Sequence, residues 1–155
     1  MKLLFLRKLM GAPKRKTAGR GGVSYLKDDL QKMKKLYDRI EKTMEEKQPY
    51  LDGDFSVEDL SSMVCASKAA TSRCLSRVGK TNFRPYINNY RVKYSILLIK
   101  KEPRMRLSEV ARQSGFNSIP SFNTWFKSVT SMCPSEYLAE LSQPQRPRFF
   151  PMKRG

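Results

Sequence analysis

The stretch LSEVARQSGFNSIPSFNTWFK, residues 107–127, contains two short helical patterns on either side of a glycine. Val110 and Ala111 are apolar positions of the first pattern, and Gly115 is expected to end it in a turn that favours a positive φ. Ser118 is expected to cap the second helix, because a serine oxygen can accept from the free backbone N–H groups of the first turn. We therefore predict two short helices joined by a tight turn.

The same layout occurs once more upstream. Residues 57–78 predict a short helix, a turn and a second helix, which Ser67 caps and Gly79 ends. Between the two units, residues 83–100 form one long apolar-striped helix, and Pro103 follows its end. Two short helices around a tight turn are the helix-turn-helix plan, in which the second helix enters the major groove of DNA. No alternating strand pattern occurs from residue 50 onward, so the predicted fold class is all-α.

A further apolar stripe precedes these units. Its residues are spaced by 4, 3, 4, 3 and 4: Leu26, Leu30, Met33, Tyr37, Ile40 and Met44. This spacing predicts an amphipathic helix over residues 26–48, which Pro49 ends. Packing onto the following domain is favoured. A homodimer through this helix stays open, although the stripe spans too few heptads for a stable two-chain coil on its own.

The charge of the chain is strongly unbalanced. It has 31 Lys and Arg against 14 Asp and Glu, which gives a net charge of +17. Such a chain is attracted to polyanions, and nucleic acid is the expected partner. Much of the excess lies in two flanks, residues 1–25 and 142–155, which we predict to be disordered basic arms. The remaining residues 49–141 are predicted to form the DNA-binding domain.

The composition also argues against several classes of protein. Histidine is absent, which removes histidine-based general base catalysis and histidine zinc sites. Cys65, Cys74 and Cys133 form no Cys-x-x-Cys pair, and we interpret them as reduced thiols of a cytoplasmic protein. The apolar patch within residues 1–10 is too short for a membrane span. We therefore expect no enzyme, no cofactor and no metal.

Three segments carry a specific resemblance. NFRPYINNYRV (residues 82–92), the stretch 107–127 and CPSEY (residues 133–137) resemble the DNA-binding domain of the AraC/XylS family of bacterial transcription regulators. The match covers roughly residues 50–140. It implies two helix-turn-helix units on one joining helix, which read two successive major-groove segments of double-stranded DNA. It also implies that RNA polymerase is a partner. The alternatives are a non-specific nucleic-acid-binding protein, or a truncated and weakened regulator.

The resemblance places the base-reading residues on the exposed face of each second helix. The candidates are Ala69, Ser72, Arg73, Ser76 and Arg77 in the first unit, and Ile119, Ser121, Asn123, Thr124 and Lys127 in the second. Arg73 suits a guanine edge, Asn123 suits adenine, and Lys127 is a candidate phosphate contact. The aromatic residues of the second unit are expected in its core: Phe116, Phe122, Trp125 and Phe126. Arg91 is expected to have a structural role.

The sequence departs from the family pattern at several positions. Thr71 replaces a core leucine of the first recognition helix, and we expect Thr71→Leu to stabilise the domain. Lys80 stands where glycine is usual, one place after Gly79, and Ser131 replaces a helix-stop glycine. Thr124 stands where a basic residue is frequent. Together these departures predict a looser first unit or weaker DNA binding.

Overall fold

The computed structural model describes residues 23–142, with side chains from residue 27 onward. Seven α-helices and one 3-10 turn make up this part of the chain, and it contains no strand. The helices are α1 (Val23–Lys47), α2 (Val57–Met63), α3 (Lys68–Arg77), α4 (Phe83–Lys101), α5 (Leu107–Gln113), α6 (Ile119–Thr130) and α7 (Pro134–Ser142); the 3-10 turn is Pro49–Leu51. The predicted all-α fold with two helix-turn-helix units, α2–α3 and α5–α6, is confirmed. Most of each predicted arm lies outside the described residues.

Serine side chains begin three of these helices, and two of them, Ser67 and Ser118, are the predicted caps. Ser56 and Asp59 form a reciprocal cap at α2, in which the backbone N–H of Asp59 donates to the Ser56 hydroxyl and the N–H of Ser56 donates to the carboxylate. Ser67 accepts from the N–H of Ala70 at 3.1 Å, and Ser118 caps α6 in the same way. These bonds satisfy backbone donors that have no partner within the helix.

The apolar side chains form two clusters, one under each unit, and α4 contributes to both. The first contains Leu60, Cys74, Leu75 and Ile87, and the second contains Val92, Ile99, Val110, Phe122 and Phe126. Phe116, Phe122 and Phe126 are buried and Trp125 is half-buried, which confirms their expected place in the core. Phe122 stacks edge-on against both other phenylalanine rings.

From Met33 onward, α1 packs against the first cluster. Leu36, Ile40 and Met44 are buried in the first cluster, and Tyr37 packs half-buried against it. This part of the stripe is therefore used within the chain, as the favoured interpretation holds, and is not free to form a two-chain seam. None of the described helices combines the length and apolarity that a bilayer span requires.

Left-handed backbone occurs at several turns where a glycine is absent. Gly115 has φ +82°, as predicted, but Cys65, Lys80 and Ser131 also have positive φ, at 49°, 54° and 65°. Helix α3 ends at Arg77, just before the predicted stop at Gly79, and the residue with the left-handed conformation is Lys80, where the family pattern has glycine. Glycine at 79 serves a different purpose, because a Cβ there would lie 2.8 Å from both the Leu75 carbonyl oxygen and the Tyr37 ring.

The Thr71 side chain is fully buried, in agreement with its expected core position. Its hydroxyl donates to the Ser67 carbonyl oxygen at 3.1 Å and lies 3.0 Å from the Ser61 hydroxyl on α2. The Ser61 hydroxyl also reaches the Val57 carbonyl oxygen at 2.6 Å. Because this buried hydroxyl is paired, the expectation that Thr71→Leu stabilises the domain loses its basis.

Candidate nucleic-acid interface

The five predicted residues of α3 lie on one exposed face. Ala69, Ser72, Arg73, Ser76 and Arg77 are all exposed, at the i, i+3, i+4, i+7 and i+8 positions of the helix. Residues with this spacing share one side of an α-helix. Thr71, Cys74 and Leu75 on the opposite side are buried, so the core fixes which face of α3 is presented to solvent.

The corresponding face of α6 contains some of the predicted residues. Asn123, Thr124 and Lys127 are exposed, and so is Ile119 in the first turn. Ser121 does not join them. It is half-buried, and together with Trp125 it lines the cleft between α6, the start of α2 and α4.

Sequence reasoning missed Ser128 on this face. Arg77 is the tenth residue after Ser67, the cap of α3, and Ser128 is the tenth after Ser118, the cap of α6. Ser128 is exposed. The distance from the capping serine is therefore the signal in the sequence that identifies Ser128. Pro120 occupies the position of Ala69 by the same count.

Two electrostatic features distinguish the faces. Helix α3 contains Lys68, Arg73 and Arg77 and no acidic residue, whereas Lys127 is the single charged residue of α6. Lys68 forms an ion pair with Glu58 of α2, which ties this lysine to the first helix of the unit. The α3 face is therefore the more positively charged of the two, and the α6 face consists mainly of neutral polar groups.

The Thr124 hydroxyl is engaged by its own helix. It donates to the carbonyl oxygen of Pro120 at 2.9 Å, one turn earlier. A threonine bonded in this way presents its methyl group and leaves its oxygen free to accept. Thr124 is therefore suited to an apolar or accepting contact with a base rather than to donation.

Arg91 has the structural role expected of it. Its Nε–H donates to the Tyr50 carbonyl oxygen at 2.8 Å and its Nη2–H donates to the Asp52 carbonyl oxygen at 2.8 Å. The guanidinium carbon also lies 5.9 Å from the centre of the Phe116 ring. Burial lowers the pKa of Arg91, which nearby Asp52 partly offsets. These contacts hold the guanidinium against the protein.

Comparison with known proteins assigns the family. A family model described as a helix-turn-helix domain, of the AraC type, matches residues 60–140, just over half of the chain. The chain belongs to the AraC/XylS family. This family consists of DNA-binding transcription regulators and is not a family of enzymes.

A curated relative of this AraC-type chain comes from Vibrio cholerae. The TCP pilus virulence regulatory protein of Vibrio cholerae serotype O1 is 45% identical over 60 residues, in both the classical and the El Tor strain. The match covers 39% of this chain and 21% of that regulator. The matched stretch therefore spans about a fifth of the length of the curated relative.

Two solved structures share the fold. The C-terminal domain of the two-component response regulator yesN from Fusobacterium nucleatum aligns with a TM-score of 0.55 at 23% identity, over 70% of this chain and 98% of that one. The C-terminal domain of AraT, a response regulator from Geobacillus stearothermophilus, aligns with a TM-score of 0.60 at 14% identity, over 77% and 95%. At these identities the likeness establishes the fold.

Proposed function

We propose that this chain is a sequence-specific, double-stranded DNA-binding transcription regulator. Helices α3 and α6 enter two successive major-groove segments on one face of the duplex. The observation that carries the proposal is the α3 face, where five exposed side chains with two arginines and no carboxylate stand opposite a buried face. A rigidly held helix of this kind can present the same side chains to the same base edges.

Each side chain has a chemically distinct role in this proposal. Arg73, in the middle of α3, reads a guanine through two parallel N–H donors, and Arg77 holds a phosphate. Asn123 on α6 reads an adenine, and Lys127 holds a second phosphate. Ile119, at the start of α6, contacts a thymine methyl group. Binding then changes transcription through contact with RNA polymerase or through its exclusion.

Selection of bound sequences from random duplex DNA tests this function. The wild-type chain is expected to enrich a motif with two separated segments. Arg73→Ala should weaken binding to that motif by about 1–3 kcal/mol and relax the choice at one base position of one segment. Arg39→Ala is the matched control, because Arg39 is an exposed arginine on α1, outside both recognition faces.

Two results would contradict the proposal. If Arg73→Ala left affinity and base preference unchanged, α3 would not read DNA through this position. If the wild-type chain bound unrelated duplexes as tightly as the enriched motif, it would be a non-specific binder instead. For a non-specific binder, most of the affinity would come from phosphate contacts and would fall steeply with salt.

A further inference from the structure

The segment that enters the first helix-turn-helix unit is bonded directly to the second unit. Residues 50–54 run from the 3-10 turn towards Ser56, the cap of α2. Asn117 lies in the turn between α5 and α6, and its side-chain amide donates to the Gly53 carbonyl oxygen at 3.2 Å and to the Asp54 carboxylate at 3.2 Å. The two units are therefore connected at a second place, besides α4.

Arg91 strengthens this connection from α4. The same guanidinium that donates to the carbonyl oxygens of Tyr50 and Asp52 lies over the ring of Phe116, next to Asn117. Hydrogen bonds from a charged donor are about twice as strong as neutral ones. Arg91 thus holds the segment and the turn of the second unit at one point.

Two glycines allow the close approach of the backbones. A Cβ at Gly115 would lie 2.9 Å from the Leu51 carbonyl oxygen, and Gly115 also has a positive φ. A Cβ at Gly53 would collide with the Asn117 side chain, since it would lie 2.8 Å from its Cγ. The segment and the turn are in contact along their backbones as well as through side chains.

We propose that residues 50–54, Arg91 and Asn117 form a brace that sets the spacing between the two DNA segments the chain reads. This rests on the proposed function. The two apolar clusters share α4, so bending of this helix changes the angle between the two units, whereas a second attachment away from its axis resists that bending. The brace holds α3 and α6 at one relative angle, and the chain therefore prefers one distance between its two half-sites.

The first test needs no DNA, because the chain carries its own labelling sites. Cys65 is exposed in the turn of the first unit, Cys133 is half-buried ahead of α7 in the second, and Cys74 is fully buried. With spin labels on Cys65 and Cys133, the wild-type chain should give one narrow distance distribution. Asn117→Ala should broaden it without changing the thermal midpoint by more than a few degrees.

Two further variants sharpen this measurement. Gly53→Ala should broaden the distribution as well, because its Cβ displaces the Asn117 amide. Arg112→Ala is the control, since it breaks the exposed ion pair with Glu109 on α5 and leaves the brace intact. An unchanged distribution in both brace variants overturns the proposal.

The second test measures binding to duplexes whose two selected segments lie one base pair closer together or further apart. The wild-type preference is the ratio of its affinities for the best spacing and for the shifted spacings. Asn117→Ala should lower this ratio by about two- to tenfold, because one hydrogen bond corresponds to a factor of that size. Arg112→Ala should change affinity for all spacings alike. A preference that Asn117→Ala leaves intact overturns the brace. If Asn117→Ala broadens the distance distribution but the wild-type chain selects no motif, the proposed function is overturned. The attachment between the two units then still restrains their relative position.

Discussion

Replacing Thr71 by valine isolates the buried hydroxyl pair between α2 and α3. Valine has the shape of threonine with a methyl group in place of the hydroxyl. The change removes the bond to the Ser67 carbonyl oxygen and the contact with the Ser61 hydroxyl. The Ser67 carbonyl oxygen keeps a partner, because it also accepts from the backbone N–H of Thr71 at 2.9 Å. We expect Thr71→Val to lower the free energy of unfolding by about 1 kcal/mol.

The leucine variant should be worse than the valine variant. Thr71 is fully buried, so the longer side chain has to fit among closely packed neighbours. Overpacking of a filled site costs about 1–3 kcal/mol, which exceeds the gain of about 0.8 kcal/mol for each additional buried methylene group. Thr71→Leu is therefore expected to destabilise the domain by about 1–2 kcal/mol relative to the wild type.

A double-mutant cycle with Ser61→Ala measures the pair itself. Urea melts of the wild type, Thr71→Val, Ser61→Ala and the double variant give four unfolding free energies. Ser61 retains the Val57 carbonyl oxygen as an acceptor in Thr71→Val, so we expect a coupling of about 0.5–1 kcal/mol. Additive effects of the two changes, or a stabilising Thr71→Leu, would refute the idea that the hydroxyl pair holds α2 against α3.

Three other predictions follow from single positions. Lys80→Gly and Ser131→Gly should each raise the free energy of unfolding by about 0.5–1 kcal/mol in urea melts, because both residues have positive φ and glycine adopts it without strain; unchanged midpoints would contradict this. Phe122→Ala should lower it by about 3–5 kcal/mol, since the ring is fully buried, and a smaller loss would mean that the second cluster collapses into the cavity. Burial raises the pKa of the Glu41 carboxyl above its ordinary value, an effect that the neighbouring Tyr37 hydroxyl partly opposes. The protonated carboxyl therefore stabilises the fold below the unfolded pKa of this group, and that stability is lost as pH rises through the folded pKa. Glu41→Gln should therefore flatten the fall in stability that occurs as pH rises above the unfolded pKa of glutamate, and an unchanged pH profile would contradict this.

The positions of the helices could be predicted from the sequence because the signals that begin them are local. Ser56, Ser67 and Ser118 cap helices with bonds to residues three positions later, and such bonds need nothing beyond the neighbouring chain. The resemblance to the AraC/XylS family indicated which face of α3 is exposed. Together, these signals predicted the all-α fold and the exposed face of the first recognition helix.

The tertiary structure decided the contacts that join distant parts of the chain. Arg91 bonds to Tyr50 across 41 residues, and Asn117 bonds to Gly53 across 64. No spacing rule connects such pairs, so a structural role for Arg91 was predicted without its partners and no role was predicted for Asn117. Ser121 was misplaced for a related reason, since its exposure depends on the cleft that α2 and α4 form beside it.

The sequence by itself therefore determined the helices, their caps and the membership in a DNA-binding family, because each depends on residues close together along the chain. The tertiary contacts between those helices depended on the folded structure. It paired the Thr71 hydroxyl with Ser61, made Lys80 rather than Gly79 the left-handed residue, and linked the two units through residues 50–54. These outcomes depend on side chains and backbone groups that meet only after the helices have packed, which is why local patterns do not contain them.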